Sequence, residues 1–523
     1  MNLGRIATWA LALWPATALA GGFSLPDLGT AALSRSGTFV ARADDPTAIW
    51  YNPAGVARLR GTHILLNGHI LAERIWFRRR IYPAQTADPS LTVMPDRYPH
   101  DPSVPIPGIS NHDAPAPIPF LAVSSDLRIL RPYHLLLMAG LFGPNAAPMR
   151  TYPRFCKPGT QPCVPSDDPS DLPGPSRYDT LGTRITVLLP TVGLAWRPID
   201  SLSVGATFQA VYSRFILEKV VMALRTRPNG QPTEDPAMDL NTRIDATDRF
   251  TPSGTIGVHW KPASFLELGA SAQLPMIQHS EGELRVEIPP GLLNGINVAQ
   301  EPYPADVSVN LTFPWIVRAG ARYIHDDAQG RERFDLELDL VWESTGSMES
   351  VVAETEASIR LSDFPSLDPI PLDSLRQEYH WKNTWGVRLG GSLRLYDVLG
   401  FTAILRGGTF YESSAMPDEY VRLDFLPLAR IGLTLGLGLQ WGRWRFDVGY
   451  AHLFHFQRTI APDGGDPRTG QCAASNGAQG CGSKAVSVVP LSPADGTPVG
   501  NGTYDMSIEI VTLGLSVAFD AVP

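Results

Sequence analysis

The side chains with the clearest chemical potential are four cysteines in two close pairs, Cys156 with Cys163 and Cys472 with Cys481, each within a Pro-, Gly- and Ser-rich stretch. In an exported chain such pairs form disulfides, so two local loop bridges are expected. Zinc favours closer cysteine spacing and additional Cys or His ligands, which neither pair has. His452 and His455 would point to opposite faces of a strand and could not share a metal. No Gly-x-Ser-x-Gly elbow, His-Glu-x-x-His pair or phosphate-binding loop occurs, and Gly432 to Gly438 is an alternating run with no helix after it. A Ser/His pair assembled across strands is the one enzymatic route left. The expectation is a non-enzyme without metal or cofactor.

The chain positions these residues outside the cytoplasm. Met1 to Ala20 carries an early Arg5, an apolar run from Ile6 to Leu19 and small residues at its end, the pattern of a secretory signal peptide, with Gly21 beginning the mature chain. No later stretch is long and apolar enough for a membrane helix, and the mean hydropathy is -0.05. A formal net charge of -9 gives no basic footprint for nucleic acid.

Period-2 alternation dominates the rest. From Arg333 to Trp342, Phe334, Leu336, Leu338, Leu340 and Trp342 share one face, while Arg333, Asp335, Glu337 and Asp339 share the other. Trp444, Phe446, Val448 and Tyr450 alternate with Arg445, Asp447 and Gly449 in the same way. A soluble β-sandwich would alternate too, so the connections decide. Strand cores fall at 62–76, 118–127, 133–143, 181–196, 202–225, 250–260, 265–288, 307–324, 333–344, 378–396, 401–411, 428–440, 443–459 and 503–519. Every second link is short, as at Arg128 to Pro132, Arg197 to Ser201 and Lys261 to Ser264, and the others are long and rich in Pro, Gly, Asp and Ser. Short turns at one end and long loops at the other describe an all-β fold, a transmembrane antiparallel barrel of about 14 strands, with apolar side chains outside and a wet lumen inside.

Residues 61–523 are assigned to that barrel, and a parity change near Ile510-Val511 predicts a bulge in the last strand. Residues 21–60 are rich in Gly, Ala and Ser and do not alternate; they would fit within a barrel as an N-terminal plug, with a disordered tail as the plainer reading. The run Arg78-Arg79-Arg80 could hold lipopolysaccharide phosphates or be a solvated loop.

Gly22-Phe23, Gly29 to Gly37, Ala43-Asp44-Asp45, Asn52-Pro53-Ala54, Pro190 to Arg214, Gly386 to Arg394, Phe401 to Pro417 and Asp447 to His452 together resemble the FadL/TodX (OmpP1) family of outer-membrane transporters for long-chain fatty acids and other hydrophobic compounds. The resemblance implies a fourteen-stranded barrel closed by an N-terminal hatch, capture among the outer loops, and a kinked third strand that opens sideways. Phe23 resembles the hatch phenylalanine beside the ligand, and Asn52, Pro53 and Ala54 match the hatch motif. Gly143 resembles the kink glycine, with Pro144 reinforcing the break because it cannot donate a ladder hydrogen bond. Arg214 is a candidate for pairing with a ligand carboxylate, or else a lumenal arginine balancing acids such as Asp339.

The chain departs from the pattern by ending Phe519-Asp520-Ala521-Val522-Pro523 and by a proline-rich stretch from Arg78 to Pro119. The expected function is passive uptake of a long-chain fatty acid or similar hydrophobic compound. A porin-like channel for other small solutes and a loop-mediated adhesin or receptor are the alternatives. The expected setting is the bacterial outer membrane, with its lipid and lipopolysaccharide around a monomer and the barrel-assembly machinery acting during biogenesis.

Overall fold

A computed structural model describes residues 28–79, 82–83, 92–93, 106–143, 149–222, 239–288, 297–363, 366, 368–371, 374–460, 484–485, 497–498 and 502–519. Phe23, Pro144, Cys472 and Cys481 lie outside these residues, as does the expected signal peptide, Met1–Ala20.

Alternation becomes a wall because successive side chains of a strand leave on opposite faces, and only a closed sheet leaves no edge unpaired. The strands are β1 (Thr62–Arg79), β2 (Ala116–Ser125), β3 (Leu135–Phe142), β4 (Gly182–Ile199), β5 (Leu202–Met222), β6 (Asp239–Ala263), β7 (Leu266–Gln273 and Met276–Glu287), β8 (Ala305–Phe313 and Ile316–Asp326), β9 (Glu332–Glu343), β10 (Thr384–Val398), β11 (Phe401–Glu412), β12 (Arg430–Trp441), β13 (Trp444–His455) and β14 (Gly502–Phe519). Each pairs antiparallel with its sequence neighbours, and β14 closes on β1 from Thr62 opposite Phe519 to Arg79 opposite Gly502. Fourteen strands form one closed barrel, as the alternation predicts.

Several boundaries differ from the sequence reading, for physical reasons. β6 begins at Asp239 rather than 250 because its first turns carry charges outward, at Arg243 and Asp245, where hydrophobic alternation has no signal. β7 is interrupted at Leu274-Pro275 and β8 at Pro314-Trp315, where a missing N–H breaks the ladder. β10 begins at Thr384 rather than 378, and Glu378 instead ends a separate strand, Ser374–Glu378, that pairs with Ser350–Thr355, which itself pairs with β8. β1 continues through Arg79, a buried residue, so the basic run does not begin a loop there. β14 has no bulge: its register against β1 is unbroken. Ile508 and Ile510 face inward because the lumen at that height is filled by apolar loop residues.

Leu336, Leu338 and Leu340 are about half exposed on the outer face, whereas Asp335, Glu337 and Asp339 are fully enclosed inside. The inner face is polar but not wet at this level. Residues 28–57 occupy the ring there, in α1 (Thr30–Leu33), α2 (Ala48–Tyr51) and the 3-10 turn Pro53–Arg58. They reach opposite walls: the Thr30 hydroxyl bonds Asn67 on β1 at 2.9 Å, and the Asn52 amide donates to the Val258 carbonyl on β6 at 2.9 Å.

Candidate functional site

The N-terminal segment is fixed by wall acids that grip its backbone. Asp339 accepts from the N–H groups of Phe39 and Val40 at 3.0 and 3.2 Å, and Glu337 accepts from those of Ala41 and Arg42 at 2.7 and 3.1 Å. Arg35 and Arg42 reach Asp335 at 2.6 and 2.7 Å, and Arg322 joins the same carboxylate at 3.1 Å. With these charges out of water, removing one partner strands the other, a loss of about 3–5 kcal/mol.

Asn52, Pro53 and Ala54 press closely on the wall. Asn52 takes an extended backbone and caps the turn through Oδ1, which accepts from the Ala54 N–H at 3.2 Å, while its amide N–H₂ donates to Val40 and Val258 carbonyls. Pro53 suits the first position of that turn because its missing N–H would have no partner there. Wall glycines permit this approach: a Cβ on Gly257 would meet Asn52 Oδ1 at 2.1 Å, and one on Gly205 would meet the Pro53 carbonyl carbon at 2.5 Å.

Trp50, on α2, extends the segment to the third strand. Its ring meets Phe142 edge-on at 5.9 Å, and Phe142 stacks on Phe120 at 4.9 Å. Gly143 follows at once. The ladder between β3 and β4 ends at Phe142 opposite Leu189 and resumes at Met149 opposite Arg184, in the short strand Met149–Thr151. Residues 185–188 of β4 therefore have no ladder partner on this side among the described residues. A Cβ on Gly143 would sit 2.8 Å from the Val187 carbonyl oxygen, so a side chain there would push on the adjoining strand.

Behind the break lies apolar surface. Ile185, Val187, Leu189, Val211 and Met276 form one core with Trp50 and Phe142. A second core, toward the long-loop end, includes Phe77, Trp381, Leu423 and Leu426. Phe215, Phe313 and Phe425 pack against both and remain partly exposed, which marks the meeting place of the two. The loop after β11 supplies Phe425 by folding into the barrel, where Ala415, Met416, Val421 and Arg422 are buried.

Polar contacts hold that loop. Arg150 grips Glu73 of β1 with two bonds of 2.8 Å and donates to the Leu423 and Asp424 carbonyls at 3.2 and 2.9 Å. Arg422 pairs with Asp179 at 3.3 Å, and the Asp179 carboxylate accepts from the Leu423 N–H at 2.8 Å. Burial pushes the Asp179 carboxyl up to about 7, against the pull of Arg422 and with the push of Asp424.

A sequence profile described as Outer membrane protein transport protein (OMPP1/FadL/TodX) matches residues 171–484. The chain belongs to this family. The FadL/TodX assignment and the closed barrel together place it in the outer membrane.

Among solved structures, a Pseudomonas aeruginosa FadL homologue is similar with TM-score 0.68 and 16% identity, over 95% of this chain and 100% of that one. The P. putida toluene transporter TodX has TM-score 0.58 at 13% identity, over 95% and 99%. The Ralstonia pickettii toluene transporter TbuX has TM-score 0.56 at 15% identity, over 95% and 100%. At such identities the likeness is one of fold. No curated protein sequence matches the chain.

In this FadL/TodX barrel, Asn52, Pro53, Ala54 and Gly143 come within one connected region through Trp50 and Phe142, whereas Arg214 does not. Arg214 lies on the outward face of β5 with Phe208, half exposed, and its guanidinium donates to both Asp245 oxygens at 2.9 and 2.8 Å. The lumen-facing expectation for it is corrected by strand parity: Gln209, Val211, Ser213 and Phe215 point inward, and Arg214, between two of them, points out beside the charged Asp245. Cys156 and Cys163 are joined as a disulfide. Two residues escaped the sequence reading. Trp50 was legible only as a large aromatic among small residues, and Arg318, inward and buried, stands over the Trp50 ring at 5.4 Å.

Proposed function

We propose that this barrel takes up long-chain fatty acids or similar hydrophobic compounds, capturing them at the long-loop end and releasing them sideways through the wall beside Gly143. The observation that supports this reading is the β3–β4 ladder, whose register shifts between Phe142 opposite Leu189 and Met149 opposite Arg184, and which among the described residues leaves 185–188 unpaired beside the apolar surface of Ile185, Val187 and Leu189, with Trp50 against Phe142. A water-filled pore offers an acyl chain nothing, while each buried methylene stabilises a complex by roughly 0.8 kcal/mol. The filled interior favours this over a porin for polar solutes.

In this reading residues 21–60 act as a hatch, with Phe23 and Asn52-Pro53-Ala54 serving it, Met1–Ala20 is an export signal, and the barrel works as a monomer. The charged outer rim at Arg214, Asp245 and Arg243 suits contact with lipopolysaccharide headgroups. The toluene transporters of similar fold support the hydrophobic class and leave both acyl and aromatic compounds within it.

The test is uptake of labelled oleate by cells whose only such transporter is this chain or its Gly143→Val variant. A several-fold loss of uptake at equal amounts of folded barrel is expected. Unchanged uptake would sink the lateral route.

A further inference from the structure

The wall has a second weak place, between β6 and β7. Their ladder stops at Thr247 opposite Glu281 and resumes at Thr255 opposite Gln273. The bulge that turns both Arg249 and Phe250 outward and the interruption at Leu274-Pro275 account for the gap. One backbone bond, from the Leu274 N–H to the Gly254 carbonyl at 2.8 Å, and several side-chain bonds stitch this seam. Asp248 accepts from the His279 N–H and the Thr251 hydroxyl at 2.8 and 2.7 Å, and the Ser253 hydroxyl donates to the Leu274 carbonyl at 3.0 Å.

Directly inside the seam is a polar patch the transport reading does not use. Gln209 and Ser213 on β5, opposite Ser253 and Asp248, and Gln278 and Ser280 on β7 are all fully buried. Both amide atoms of each glutamine and both serine hydroxyls meet no hydrogen-bonding group among the described residues. Apolar neighbours adjoin the patch: Val211 and Phe215 on β5, Met276 on β7 and Phe313 on β8. Burying such groups without partners is unfavourable, so the patch favours a state in which they are satisfied.

We infer that this patch binds the uncharged hydroxyl head of an amphiphile, such as a long-chain alcohol or a phenol, admitted when the β6–β7 seam parts. The inference rests on the proposed uptake of hydrophobic compounds. Primary amides and hydroxyls can both donate to and accept from a neutral hydroxyl. Asp248, at the edge of the patch, is a carboxyl group and gives an added carboxylate no favourable partner. Arg318, the cation that would attract one, lies beyond Gln273, which it reaches at 3.4 Å, and faces Trp50. Outside, the seam sits where the surface changes from apolar, at Phe208 and Ile277, to charged, at Arg214 and Asp245. An amphiphile at a membrane surface straddles such a boundary.

The full barrel in nanodiscs, titrated by equilibrium dialysis with labelled 1-dodecanol, dodecane and laurate, tests this. The double substitution Gln209→Leu with Gln278→Leu is expected to weaken dodecanol about tenfold and to leave dodecane and laurate within twofold. Leucine removes unpartnered polar groups, so the variant should fold, which heat-modifiable gel mobility checks; the milder Gln278→Met is the second variant, expected to weaken dodecanol alone by about threefold. Equal weakening of all three probes, no weakening of dodecanol, or a laurate loss as large as the alcohol's would overturn the site while leaving uptake of hydrophobic compounds standing. Failure of the unaltered barrel to bind any of the three would overturn both.

Discussion

The Trp50 indole meets the Phe142 ring edge-on, with centroids 5.9 Å apart and planes at 80°, so the N-terminal segment touches the last residue of β3 that the described ladder pairs with β4. Truncation to Trp50→Ala should remove about 3–5 kcal/mol of packing. The expected result is a lower unfolding temperature together with a steady ion conductance in planar bilayers that the unaltered barrel lacks. A silent variant by conductance would show that Trp50 does not hold the segment in place.

The enclosed carboxylate of Asp335 joins Arg35, Arg42 and Arg322. Asp335→Asn should destabilise the barrel by about 3–5 kcal/mol in urea unfolding, because three buried cations then share less compensation. The exposed pair of Arg214 with Asp245 provides the contrast, and Arg214→Ala should change stability by about 1 kcal/mol or less. Similar losses for both would mean the N-terminal network is hydrated.

Asp179 links protonation to the folded-in loop. Its carboxyl is pushed up to about 7 by burial, so the folded protein keeps a proton that an unfolded chain, with the ordinary value of 3.8, has released. Stability from this group is thus greatest at low pH, falls as pH rises toward 7, and changes no further above that. Hydrogen exchange in residues 413–429, corrected for intrinsic rates, should be faster at pH 8 than at pH 5. Asp179→Asn should flatten the difference; a pH dependence that survives it belongs to another group.

The Cys156–Cys163 bridge closes a short outer loop. Reduction should speed proteolysis within residues 149–181 while the barrel's unfolding temperature moves by no more than a few degrees, since short-loop crosslinks act locally on the unfolded ensemble. Global loss of folded barrel on reduction would contradict this.

The sequence by itself determined the closed wall, its strand number and its short-turn end, because lipid demands an apolar side chain at every second position and turns are short wherever strands simply return. Its resemblance to the FadL/TodX family also marked Asn52-Pro53-Ala54 and Gly143. What only the tertiary structure decided depends on which object fills the lumen at each height. At Asp335 and Asp339 the filler is the N-terminal segment, so the inner acids are dry and paired. At Ile508 the filler is apolar, so polar no longer means inward, which suggested a bulge in β14 that does not exist; Arg214 lies outside by strand parity, beside Asp245 on a charged outer rim. Trp50 against Phe142 and the seam between β6 and β7 were likewise illegible, because contacts between residues far apart in the chain leave no local periodicity.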